Sequence, residues 1–281
     1  MTRPIAKIAG VAGWPIHQSL SPMMHNLWLR EAGISGAYIP FAVHPDEAEY
    51  AFKTLKRTTL MGVNVTAPLK EIAYKAADVA TEDAKRLGVA NVLYKRSGKL
   101  VAHNTDMEGF AAPLLTRGLH AHISQSPAVI IGAGGAARAV IAALLSLSVP
   151  EIRLTNRTDS RASDLVDALS VPSLYSVPWA ERNEALRGAG LIINASSAGM
   201  AGKSGLDIDI APAPAGAWVY DLVYNPQETP LLRAARLQGL NYLGGLDMLI
   251  AQARPSFKAF FGMQAPATDP SAILIKALTE R

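Results

Sequence analysis

Apolar positions along the chain follow two alternating rhythms, short runs with a period of two and longer stretches with a period near 3.6. "IAKIAGVAG" and "AYIPFAV" read as strands, and "SPMMHNLWLREAG" and "PDEAEYAFKTLKR" as helices. Ser21 as N-cap, Pro22 at the first helical position and Gly33 past the end punctuate the first of those helices. In "GVNVTAPLK", Val63 and Val65 take one face of a strand and Asn64 and Thr66 the other, and the segment runs through a proline to Lys70. "ANVLYKRSGKLVAHNTD" reads as two strands about a Ser97–Gly98 turn, and a helical segment follows Asp106.

A second series begins at Ala128, with strands "AVII", "EIRLTN", "LIINAS" and "AWVYDLV" and helices from Gly135, around "SRASDLVDAL" and around "TPLLRAARLQG". Strands alternating with helices imply βαβ units and mainly parallel sheets. The expected fold is therefore α/β with two α/β domains. The first covers residues 1–106 and is completed by 246–281, whose helices follow no further strand; the second covers 107–245.

Composition narrows the chemistry. The apolar run "AVIIGAGGAARAVIAALLSLSV" approaches a membrane span in length, but Arg138 and a glycine cluster make it a strand, a turn and a buried helix. The N-terminus is basic and then apolar, and Lys7 interrupts it too early for a signal peptide. A cytoplasmic protein without a membrane partner is expected. The net charge is only +4 with scattered basic residues, which suits small anionic ligands and does not call for nucleic acid. Without cysteine there is no disulfide, thiol nucleophile or thiolate metal site. His17, His25 and His103 lack metal-ligand spacing and His120-x-His122 reads as loop surface, so no metal is expected.

"IIGAGGAARA" places Gly132-x-Gly134-x-x-Ala137 after a strand and at a helix start. That context fits a dinucleotide pyrophosphate on helix amides, and it also fits a bare tight turn. Some twenty residues on, where an NAD site carries a carboxylate, stand Asn156, Arg157 and Thr158. A guanidinium there accepts a 2′-phosphate, so the pattern favours NADP over NAD, against the alternative of a solvated arginine. Ser19 and Ser21 lie at a helix start, where hydroxyls and amides hold a carboxylate or simply cap the helix. Lys70 and Asp106 each follow a strand end, where ligands gather in open sheets. They fit either a proton-transfer pair for alcohol oxidation or a surface ion pair.

Taken together and in order, "SLSPMMHN", "GVNVTAPLKE", "NTDMEGF", "GAGGAARA", "NRT", "NASSAGM", "DLVYNPQETPLL" and "GGLDMLIAQA" resemble the shikimate dehydrogenase family nearly end to end. The resemblance implies an N-terminal substrate domain, a Rossmann-type NADP-binding domain and C-terminal helices that return to the first. It makes Lys70 and Asp106 the catalytic pair at the reacting C3 oxygen. It assigns Ser19, Ser21 and Tyr224 to the substrate carboxylate, and Asn64, Thr66, Asn91 and Gln252 to its hydroxyls or to placing the lysine. NADP would lie on Gly132, Ala133, Gly134, Gly135, Ala136 and Ala137 and on Asn156, Arg157 and Thr158, with Ser196 and Gly245 on the nicotinamide side. A monomer or homodimer acting on a small-molecule substrate is expected.

Gln18 stands where many members have histidine, Leu69 where an aromatic is common and Val92 where threonine is usual; all three neighbour the expected site. Related activities on quinate or an amino analogue are the nearest alternative, and Ser21 resembles the shikimate-specific members. A non-catalytic NADP- or shikimate-binding regulator would have lost Lys70 or Asp106, and this chain keeps both.

Overall fold

Strands and helices alternate through residues 6–280, which the computed structural model describes, and they form two units. One ends at Asp106 and resumes at Ile250; the other runs from Met107 to Leu249. Ile5, at the start of the expected first strand, and the basic residue Arg3 lie outside the described residues.

The first unit contains β1 (Lys7–Gly13), α1 (Ser21–Glu31), β2 (Gly36–Ala42), α2 (Pro45–Thr54), β3 (Gly62–Val65), α3 (Lys70–Ala76), β4 (Val79–Ala80), α4 (Glu82–Leu87), β5 (Val92–Arg96) and β6 (Lys99–His103). Its sheet has the order β2-β1-β3-β5-β6-β4. β1 runs parallel to β2 and β3, whereas β5 runs antiparallel to β3 and β6. Ser97 and Gly98 both have positive φ, the geometry that matches a two-residue hairpin to strand twist. Val11, Asn64, Val92 and His103 pair in one row across the sheet. The ends of β1, β3 and β6 and the start of β5 consequently meet at one edge.

Alternation along β3 sorts side chains between two covered faces. Val63 and Val65 enter a core with Ala12, Phe52, Leu69 and Leu93. Asn64, which the alternation puts on a polar face, is buried all the same. Its face is covered by α10 (Gly245–Phe261, the last but one helix), whose Phe260 ring comes within 2.7 Å of any Cβ added at Gly62. Ser21 does not cap α1. The N-cap is Leu20 in helical geometry, and the Ser21 N–H instead donates to the Ser19 hydroxyl at 3.3 Å. The cap lies earlier because Ser21 already has helical backbone and its own amide needs an acceptor.

The second unit holds α5 (Asp106–Thr116, from its second residue), α6 (His120–Ile123), β7 (Ala128–Ile131), α7 (Gly135–Ser146), β8 (Ile152–Thr155), α8 (Asp159–Leu169), β9 (Leu174–Val177), β10 (Leu191–Asn194), β11 (Trp218–Asp221), α9 (Pro230–Leu237), β12 (Asn241–Gly244) and the first turn of α10. Its sheet is parallel throughout, in the order β12-β11-β10-β7-β8-β9. That is the doubly wound dinucleotide-binding order, with its switch point between β7 and β10. Ala128 and Ile130 enter one core and Val129 and Ile131 the other, which is why this strand reads as an unbroken apolar run. The edge strands β9 and β12, which the hydrophobic pattern does not predict, are short and carry exposed tyrosines, Tyr175 and Tyr242.

α10 completes the first unit from Ile250 onward, and α11 (Ser271–Thr279) follows it there. The chain changes unit after Leu249 rather than at Gly245, because α10 is one continuous helix across that boundary. Among the described residues, no helix is long and apolar enough to cross a membrane.

Candidate active site

Lys70 opens α3 and Asp106 opens α5, each a few residues beyond the shared edge of the first sheet. The Lys70 ammonium donates to Asp106 Oδ2 at 2.6 Å, with both side chains largely withdrawn from solvent. Asn91, the residue before β5, reaches the same carboxylate because β5 runs antiparallel to β3. Its amide donates to Asp106 Oδ1 at 2.8 Å and to Thr105 Oγ1 at 2.9 Å. The Thr105 N–H donates to Asn91 Oδ1 at 2.8 Å, which fixes the amide orientation. Asp106 thus has a donor on each oxygen, and its own N–H donates to Asn104 Oδ1 at 2.9 Å.

Gln252, on α10, brings Oε1 to 3.4 Å from both Asn91 Nδ2 and Thr105 Oγ1. Asn64 is committed on three sides. Tyr38 donates its hydroxyl to Asn64 Oδ1 at 2.7 Å, while Asn64 Nδ2 donates to Ser256 Oγ at 2.9 Å and to the Asn91 carbonyl at 3.2 Å. Asn64 therefore offers a ligand only a remaining oxygen lone pair. Burial raises the Tyr38 hydroxyl well above its ordinary value, so it stays a donor. Thr66 is half-buried, and its methyl stands 2.5 Å from where a Cβ on Gly13 would lie. The β3 end is thereby set against the turn that leads to Ser19 and Ser21.

Sequence reasoning does not single out Tyr38, Asn104, Thr105 or Ser256. "NTD" contains two of them in plain view, and each aims a side chain or amide at Asn91 or Asp106. Tyr38 and Ser256 carry no local signal, because their partner lies 26 and 192 positions away.

The second unit carries an open glycine turn at the switch point. Gly132 has φ +112, and a Cβ there would stand 2.9 Å from Ser196 N. α7 begins at Gly135 with no side chain on its N-cap, Gly134. A Cβ at Gly134 or Gly135 would meet no atom within 4 Å, so open space lies over uncapped helix amides, as a pyrophosphate requires. Asn156 ties this turn to the next: its Oδ1 accepts the Ala133 N–H at 3.2 Å and its amide donates to the Thr158 carbonyl at 2.8 Å. Arg157 is exposed beside them, and Arg161, one turn into α8, adds a second exposed guanidinium that the fingerprint spacing does not point to. The nearby Asp159 carboxylate is occupied by the Trp179 N–H at 2.8 Å. Gly245 sits where any Cβ would collide with the Leu222 carbonyl oxygen. Tyr224 lies in the loop after β11.

Among the described residues, no group of three or more His, Asp or Glu side chains is placed to hold a metal ion. His120 and His122 lie on α6 rather than in a loop, and His122 Nε2 approaches the Gly190 carbonyl at 3.1 Å.

A mixed α/β unit with a lysine–carboxylate pair, joined in one chain to a doubly wound unit with two exposed arginines after β8, defines an NADP-dependent oxidoreductase. A family model described as "Shikimate dehydrogenase substrate binding domain" matches residues 11–93, and one described as "Shikimate / quinate 5-dehydrogenase" matches residues 114–201. The shikimate dehydrogenase (NADP(+)) of Rhodospirillum rubrum is 45% identical over 268 residues, 94% of each chain. That of Gluconobacter oxydans is 44% identical over 273 residues, 96% of each chain. The structure of shikimate 5-dehydrogenase from Thermus thermophilus with NADP(H) and shikimate aligns with a TM-score of 0.84 at 33% identity, covering 98% of this chain and 99% of the other. A quinate dehydrogenase from Corynebacterium glutamicum in complex with NAD aligns with a TM-score of 0.85 at 27% identity, over 98% and 99%. The chain belongs to the shikimate dehydrogenase family.

Proposed function

We propose that this chain catalyses the reversible, NADP-dependent reduction of 3-dehydroshikimate to shikimate. The observation that carries the reading is the 2.6 Å contact between Lys70 and Asp106, held from the far side by Asn91. Bound NADPH would supply hydride to the C3 carbonyl carbon. Lys70 delivers the proton that completes the C3 hydroxyl and is reprotonated from water. Asp106 orients the ammonium and accepts the product hydroxyl; in the reverse direction Lys70 takes that proton away. Gln252 and the open lone pair of Asn64 meet ring hydroxyls, with Thr66 beside them. Ser19 and Ser21 hold the carboxylate, and Tyr224 of the second unit is assigned to it by resemblance. Gly132–Ala137 receive the pyrophosphate, while Arg157 and Arg161 take the 2′-phosphate.

The same reading makes the protein a cytoplasmic monomer or homodimer that needs neither nucleic acid nor a membrane. Purified protein is expected to reduce NADP with shikimate and to do so less efficiently with quinate. In Lys70→Ala and Asp106→Asn, kcat should fall by at least the ~10²-fold of a lost acid–base group, with both ligands still bound in titrations. Near-normal turnover in either variant removes the pair from the mechanism.

A further inference from the structure

Ser196, Tyr224 and Gly245 lie in three separate segments of the second unit, and one buried carboxylate connects them. Asp221 is the last residue of β11 and is fully buried, and its hydrogen-bond partners are neutral. Asn194 Nδ2 donates to its Oδ1 at 2.9 Å and the Val223 N–H donates to the same oxygen at 3.0 Å. The Thr229 hydroxyl donates to Oδ2 at 2.6 Å. An aspartate is the side chain that accepts at both oxygens, so it alone of similar shape can gather an amide, a backbone N–H and a hydroxyl as donors at once.

Each donor leads to a residue of the site. Asn194 Oδ1 accepts both the Ser196 N–H at 3.0 Å and its hydroxyl at 2.7 Å, and Ser196 Oγ in turn accepts the Ala198 N–H at 3.1 Å. That places Ser196 against Gly132, at the switch point. Val223, held by its N–H, immediately precedes Tyr224. The backbone of Leu222 and Val223 is also what leaves no room for a Cβ on Gly245, with Val223 C at 2.8 Å. Thr229 caps α9 through the Leu232 N–H, so the far end of the loop that carries Tyr224 returns to the same carboxylate.

We propose that Asp221 is a positioning residue for the hydride-transfer end of the site, acting through Asn194 on Ser196 and through Val223 on Tyr224 and Gly245. This rests on the assignment of those three residues under the proposed function. Asp221→Ala removes the three bonds at once and leaves the Asn194 amide only its donation to the Ala198 carbonyl. In Asp221→Asn the Oδ1 contacts persist, and the new amide donates to Thr229 Oγ1, which reverses from donor to acceptor. Asn194→Ala severs the branch to Ser196, together with the Asn194 bond to the Ala198 carbonyl, and leaves the Val223 and Thr229 bonds to Asp221 in place. Arg157 follows β8 and lies outside the network, so cofactor discrimination is independent of it.

Steady-state kinetics of shikimate oxidation test this. Asp221→Ala should raise KM for both NADP and shikimate and lower kcat/KM on the order of a hundredfold, the scale of a misplaced reacting geometry, with the NADP-to-NAD preference unchanged. Asp221→Asn should restore most of the loss. Asn194→Ala should raise KM for NADP and leave KM for shikimate near its original value, and this decides the matter if Asp221→Ala does not fold. Leu165→Ala, a core change in α8, serves as a destabilised control and should move neither KM. Unaltered kinetics in folded Asp221→Ala, or parallel KM shifts in the control, overturn the proposal. A Tyr224→Phe variant with unchanged KM for shikimate instead overturns the assignment of Tyr224, while KM for NADP still tests the Ser196 branch.

Discussion

Arg157 is exposed just beyond β8 and Arg161 is exposed in the first turn of α8. Their charge is therefore available to a ligand phosphate. Arg157→Ala is expected to raise KM for NADPH about tenfold or more, as for the loss of a charge-assisted bond, and to leave KM for NADH almost unchanged. Equal effects on the two cofactors contradict this role; the measurement is initial rate against each nucleotide. At this scale the sequence is informative wherever chemistry is local: a lysine and an aspartate after strand ends, glycines before a helix, an arginine where NAD sites carry an acid. Tyr38 and Ser256 are invisible in it because they orient Asn64 across long separations. The amide direction of Asn91 is equally hidden, since it is set by the Thr105 backbone.

Elements are legible where burial is one-sided or complete, and less so at margins. β7 and β10, sandwiched between two cores, announce themselves as apolar runs. β4, β9 and β12 sit at sheet ends and have too few buried positions for a periodic signal. β3 misleads in the other direction: its polar face is covered, because a helix from near the chain's end lies on it. Gly62 is where that helix comes closest, with the Leu93 carbonyl in the way of a hypothetical Cβ on one side and Phe260 at 2.7 Å on the other. Gly62→Ala should lower unfolding free energy by about 1–3 kcal/mol, as overpacking does. Denaturant melts check it, and a neutral result removes the close packing of α10 on β3.

Over the whole molecule, the two units carry buried groups with opposite responses to acid. His25 in the first unit is fully enclosed, stacked on Tyr38 at 4.0 Å, and neither ring nitrogen has a hydrogen-bond partner. Burial lowers its pKa to about 3. The unfolded chain therefore binds a proton near 6.5 that the folded unit refuses, so the stability present above 6.5 is lost as pH falls toward 3, by up to ~1.4 kcal/mol per unit. Burial shifts Asp221 upward, so the folded second unit takes a proton before the unfolded chain does and gains stability as pH falls from above toward the ordinary aspartate value of 3.8. Hydrogen exchange between about pH 6.5 and pH 4 should show β1 and β3 losing protection more steeply than β7 and β10. His25→Phe should flatten that loss; the same slope in the variant assigns it to other groups.

The division of the first unit between residues up to Asp106 and residues from Ile250 has a consequence for the order in which the chain is made. Ribosomal synthesis releases β1 and β3 first, yet Ser256, Phe257 and Phe260, which cover Asn64, Gly62 and the His25 ring, emerge only after the entire second unit. The nascent sheet must wait with one face covered only in part, by α1, while the later unit, whose strands are contiguous in the chain, can close on its own core. The usual order of domain completion is inverted, and Lys70, though among the first third of residues to appear, belongs to the unit that is finished last.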